Sequence, residues 1–102
     1  MNLVQILLPL AGNDGKRFPG KRFAAVREEL MARFGGLTTY LQSPASGLWR
    51  SEDGETLHDR FVVYEVMVER LDRAWWSTYR RELERRFRQD ALVIRAHVII
   101  LL

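Results

Sequence analysis

Three stretches of this chain are apolar on both sides of a two-residue period, and no other feature limits its fold as much. They are Asn2–Leu10, Phe61–Glu69 and Ala91–Leu102, short runs rich in Val, Ile and Leu that read as strands. One alternate set is wholly apolar: Val4, Ile6, Leu8 and Leu10; Val62, Tyr64, Val66 and Val68; Leu92, Ile94, Ala96, Val98 and Ile100. The other holds Leu3, Gln5 and Leu7; Phe61, Val63, Glu65 and Met67; Val93, Arg95, His97 and Ile99. Successive side chains point to opposite faces of a sheet, so the first set should line a core. The second is not the polar row expected where a sheet meets water.

The remaining segments supply helices for one face only. Phe23, Val26, Leu30 and Phe34 recur at three- and four-residue steps, so Lys21–Phe34 reads as an amphipathic helix, with Gly35 as its left-handed cap. Asp72 is a good N-cap for a second helix whose apolar side is Trp75, Trp76, Tyr79, Leu83 and Phe87. One of the two tryptophans should be core, the other a cap on the sheet edge or a dimer contact. Leu37–Gln42 is strand-like, and Pro44 makes "SPAS" a bulge or bend on an edge strand. "GLWR" resumes the extension, and "SEDG" turns it back into Glu55–Glu69. The order strand, helix, strand, strand, helix, strand predicts an α+β, ferredoxin-like βαββαβ sandwich. Residues 1–102 form a single domain with a four-stranded antiparallel sheet and both helices on one face.

The second parity set then needs a cover, because monomers seldom expose so large an apolar face. A second copy of the same sheet is the cheapest one, and predicts a homodimer joined through the open sheet face. Gln5, Glu65, Arg95 and His97 sit within that face, and two readings of them are open. Glu65 pairs with Arg95 or His97, or across the two-fold axis, and fixes register. Alternatively the group lines a small-molecule pocket, with His97 as acid/base and Arg95 as an anchor for an anion, as a cofactor-independent enzyme would need. Tyr40 and Trp49 close one end of such a pocket or clasp the partner.

Other chemistry is largely excluded. The chain has no cysteine, so disulfides and thiol nucleophiles are absent, and its two histidines complete no metal-ligand spacing. No cofactor is implied. Gly15 and Gly20-Lys21 echo a phosphate loop, but Arg22 stands where the magnesium-binding hydroxyl belongs and Pro19 removes a backbone donor. A looser anion site at Lys21 and Arg22, before a helix, is the reading that survives. Net charge is +3, from a basic Gly12–Arg22 loop, an arginine-rich second helix and an acidic Arg50–Arg70 segment. The second helix reads as a solvated face, with a nucleic acid or acidic partner as the alternative. "RFVVY" (Arg60–Tyr64) faintly echoes an RNA-binding strand, yet only Phe61 can stack a base, which argues against nucleic acid. The apolar start lacks a basic leader region and no run reaches membrane-spanning length, so a soluble cytoplasmic protein is expected.

Gly36-Leu37-Thr38, Gly47-Leu48-Trp49-Arg50 and Gly54, with "NDGK" ahead of the first helix, resemble the pattern of a bacterial family of uncharacterised domains. The likeness covers the middle third and departs from the pattern at "RFGG". It implies a ferredoxin-like domain and no known activity. The architecture is also similar to dimeric α+β barrel proteins, some of them cofactor-independent oxygenases, but that likeness carries no residue over.

Overall fold

The computed structural model describes the backbone of residues 1–50 and 56–102 and the side chains of residues 1–40 and 60–102. Its elements are β1 (Asn2–Pro9), α1 (Gly20–Phe34), β2 (Thr38–Arg50), β3 (Thr56–Val68), α2 (Arg73–Arg86) and β4 (Ile94–Val98). The strands form one antiparallel sheet in the order β2-β3-β1-β4, which is the ferredoxin-like arrangement. The turn expected at Ser51–Gly54 lies outside the described residues.

Local chemistry marks the start of α2 and the end of α1. The Asp72 carboxylate accepts the Trp75 amide at 3.0 Å and so caps α2. Gly35, at φ 75°, donates its amide to the Met31 carbonyl and ends α1. A side chain would strain that left-handed position. In β2 the pairing register shifts between Tyr40 and Ala45, so the bend expected around Pro44 is a bulge on an edge strand.

The first parity set buries as its pattern demands. Ile6, Leu8 and Tyr64 are fully enclosed with Val26 and Leu30 of α1 and Leu83 of α2. The helices run antiparallel. The end of α1 meets the start of α2 through Phe34, whose ring stacks on Trp76 at 5.2 Å. The start of α1 meets the end of α2 through Phe23 and Phe87, at 5.3 Å. Between them, Arg86 grips both oxygens of Glu29 at 2.7 and 2.8 Å, and the Tyr79 hydroxyl donates to the same carboxylate at 2.9 Å. Arg86 therefore holds the Glu29 carboxyl below the usual carboxylate range, and burial pushes the Tyr79 phenol well up.

Two expectations are corrected. Trp76 is core, but Trp75 reaches neither the sheet edge nor the open face. It packs against Phe34 and Tyr79 under the Arg33 guanidinium, 4.2 Å from its ring, because residues at this spacing on α2 face α1. The last strand is also shorter than Ala91–Leu102. β4 pairs only with β1, whose second residue already lies opposite Val98; one further bond, Ile99 amide to Met1 carbonyl, ends the ladder. At that end of the strand Val98 and Ile100 are 76% and 84% exposed rather than covered by helix. A groove of about 400 Å³ between α2 and β4, floored by Val4, Trp76 and Ile94, marks where helix cover stops.

Leu83→Ala should lower the unfolding free energy by about 2–5 kcal/mol in urea, as for enclosed leucines generally. Val98→Ala, on the same sheet side but exposed, should change it by less than about 0.5 kcal/mol. Because the folded Glu29 pKa is depressed, its contribution is complete above the ordinary carboxylate value of 4.5 and fades as pH falls through the folded pKa. Glu29→Gln should therefore flatten the acid limb of a stability-against-pH curve.

Candidate ligand site on the open sheet face

Register lines up one residue from each strand across the uncovered face: Thr38 beside Glu65, Glu65 beside Gln5, Gln5 beside Arg95. The row is hydrogen-bonded through most of its length. Arg95 donates from Nε to Gln5 Oε1 at 2.8 Å, and Gln5 Nε2 donates to Glu65 Oε2 at 2.8 Å. The Tyr40 hydroxyl, one register step along β2, donates to the same carboxylate, which together with the negative charge raises the Tyr40 phenol above its ordinary value.

Gln5 is thus a relay, its amide oxygen turned to the cation and its amide nitrogen to the anion. The expected direct pairing of Glu65 with Arg95 or His97 is replaced by this relay, because Gln5 stands between the two on the central strand. Glu65 is 9% exposed, so its charge is held largely out of water by two neutral donors. No salt bridge joins it to a cation among the described residues.

Apolar rows flank this polar one. Leu3 lies between Met67 and His97 on one side, and Leu7 beside Val63 on the other. Against the first row, a pocket of about 440 Å³ opens between the sheet and the α1–β2 turn. Leu3, Leu37, Met67 and Ile99 supply apolar walls, and Tyr40 and Glu65 the polar end. Glu65 is the one formally charged residue among its described lining.

Gln5, Tyr40, Glu65 and Arg95 are therefore brought together. His97 is exposed on the edge strand, and among the described residues it makes no hydrogen bond to Glu65 or Arg95. Trp49 pairs by backbone with Leu57, but its side chain lies outside the described residues. Lys21 and Arg22 sit on the helix side, away from this face. The phosphate-loop echo dissolves: the Gly12, Gly15 and Phe18 amides donate to carbonyls within their own turn and to Leu10, and the Lys16 amide to the Asp14 side chain. Periodicity did not reveal the pocket wall formed by Gly35, Gly36 and Leu37; the Gly-Gly break after α1 was the available signal, since it turns β2 back beside β3.

No family model and no curated protein matches the chain. Among solved structures it is similar to a phage SAM lyase in complex with S-methyl-5′-thioadenosine, with a TM-score of 0.63 at 13% identity over 94% of this chain and 79% of that one. At that identity the likeness establishes the fold. No helix among the described residues is long and apolar enough to cross a membrane.

Glu65→Gln should bring the Tyr40 phenol back toward 10, read from the tyrosine Cζ resonance during a pH titration. An unchanged midpoint would show that the two side chains are not bonded in solution.

Proposed function

We propose that this chain is a small-ligand-binding α+β domain that works as a two-fold dimer. The open sheet faces pack on one another, and the pocket beside Glu65 holds the ligand. One observation carries the reading: a nearly buried carboxylate, bonded only to neutral donors, forms the end of an otherwise apolar pocket. Such a group favours a ligand with an apolar or aromatic body and a positive charge or strong donor to meet the acid. The second copy covers what the pocket does not use, the row of Leu7, Val63 and Val93. Half-exposed Val93 is otherwise left to water.

The likeness to a phage SAM lyase bound to S-methyl-5′-thioadenosine supplies the first probes. S-methyl-5′-thioadenosine is neutral at its sulfur, whereas SAM carries a sulfonium cation and an amino-carboxylate arm, so the Glu65 variant, and not the pair alone, isolates recognition of positive charge. In a calorimetric titration SAM should bind more tightly than the thioether. Glu65→Gln should weaken SAM by about tenfold and leave the thioether nearly unchanged. Equal affinities unaffected by the substitution would remove the role of Glu65.

The dimer is tested separately. Sedimentation at micromolar concentration should give a dimer, and Val93→Glu a folded monomer. A monomeric parent protein would sink the two-fold arrangement.

A further inference from the structure

Topology joins two basic segments far apart in sequence. The first turn of α1 and the last turn of α2 meet where Arg22 donates from Nη1 to the Arg86 carbonyl at 3.0 Å. A cleft of about 560 Å³ opens there, lined by Arg22, Ala25, Glu29, Arg85, Arg86 and Arg88. Its acids are already engaged. Glu29 is held through both oxygens by Arg86, and Glu82, just behind, is shared by Arg85 and Arg86 and pulled down to about 2.

Arg22 and Arg88 differ from their neighbours. Neither has a carboxylate partner among the described residues, and both guanidinium groups lie over one ring, that of Phe18, at 5.2 and 5.7 Å from its centroid. The ring is buried and fixed edge-on against Phe87 at 5.2 Å, so it serves both cations as a rigid seat. Two like charges seated on one ring repel, and an anion shared by both would relieve that repulsion. Arg88 also holds φ 50°, the left-handed position after a helix where glycine is the unstrained residue. Though Arg88 is exposed, its guanidinium lies against the Phe18 ring.

We propose that this cleft binds a phosphate-bearing small ligand, with Arg22 and Arg88 as the two arms of a clamp and Arg85 at its rim. Planar guanidinium forks match phosphate oxygens, and two of them converging from different elements suit a phosphate group better than a single carboxylate. The assignment keeps Arg22 from the anion site read in the sequence. It replaces Lys21, which is exposed and does not line the cleft, with arginines from the far end of the chain.

The test is a calorimetric titration of the full chain with inorganic pyrophosphate at constant ionic strength, with acetate as the carboxylate control. Pyrophosphate should bind saturably and acetate should not. Arg22→Gln and Arg88→Gly should each weaken pyrophosphate by about tenfold. Arg73→Gln, at the opposite end of α2, should leave it unchanged. Arg88→Gly relieves the left-handed backbone, so lost binding in that variant cannot be attributed to misfolding; its thermal midpoint should hold or rise. Absence of saturation, equal binding of acetate, or an equal effect of Arg73→Gln would each overturn the clamp. So would tight single-stranded RNA binding that pyrophosphate fails to displace.

Discussion

The structure depends on β1 being paired along both edges. Its eight residues pair with β3 on one side, and five of them also face β4 on the other. A strand in that position cannot slip by one residue without turning every buried side chain of three strands to the wrong face. Its alternation therefore fixes the register of its neighbours, and register decides which side chains meet. Gln5 touches Glu65 and Arg95 because it is the residue opposite both. β4 ends at Val98, opposite Asn2, where β1 itself begins.

The two faces solve opposite problems with the same sheet. On the helix side, cover comes from within the chain, and the aromatic contacts of Phe34, Trp75, Trp76 and Tyr79 lock the two helices at one end while Arg86, in the last turn of α2, ties to Glu29 in the middle of α1. On the open side no described helix lies, and Arg95, Gln5, Glu65 and Tyr40 form one connected polar row, with His97 exposed beside it. A lone buried carboxylate there would be costly; the amide of Gln5 and the phenol of Tyr40 spread its charge over hydrogen bonds. The same satisfaction by neutral donors leaves Glu65 free to attract a cation, which a direct salt bridge to Arg95 would not.

Most of this fold is written in local pattern. Phe23, Val26, Leu30 and Phe34 disclose one helix, Gly35 and Asp72 mark boundaries, and Pro44 announces the bulge in β2. The polar residues of the open face, Gln5, Glu65 and Arg95, were legible too, because parity alone puts them on one side. What sequence does not carry is how far one element reaches over another. The exposed ends of β4 follow from the length of β1, and the side on which Trp75 packs follows from the crossing of α1 and α2. The meeting of Arg22 with Arg88 follows from helices running antiparallel, a relation between segments that no local period encodes.

That last relation changes how the charge of the molecule is read. A net charge of +3 on the whole chain suggests a general attraction for anions. At physiological salt, however, exposed charges are screened beyond about 8 Å, so each site responds mainly to the groups within it. The helix-side cleft is lined by four arginines and one glutamate, itself neutralised. The open-face pocket presents a single carboxylate in apolar surroundings, where the weaker screening makes each charge count for more. The core that separates them holds Ile6, Leu8 and Tyr64, fully enclosed. The molecule therefore presents a carboxylate-ended pocket on one face of its sheet and an arginine-lined cleft at the end of its helices, and the overall charge predicts neither.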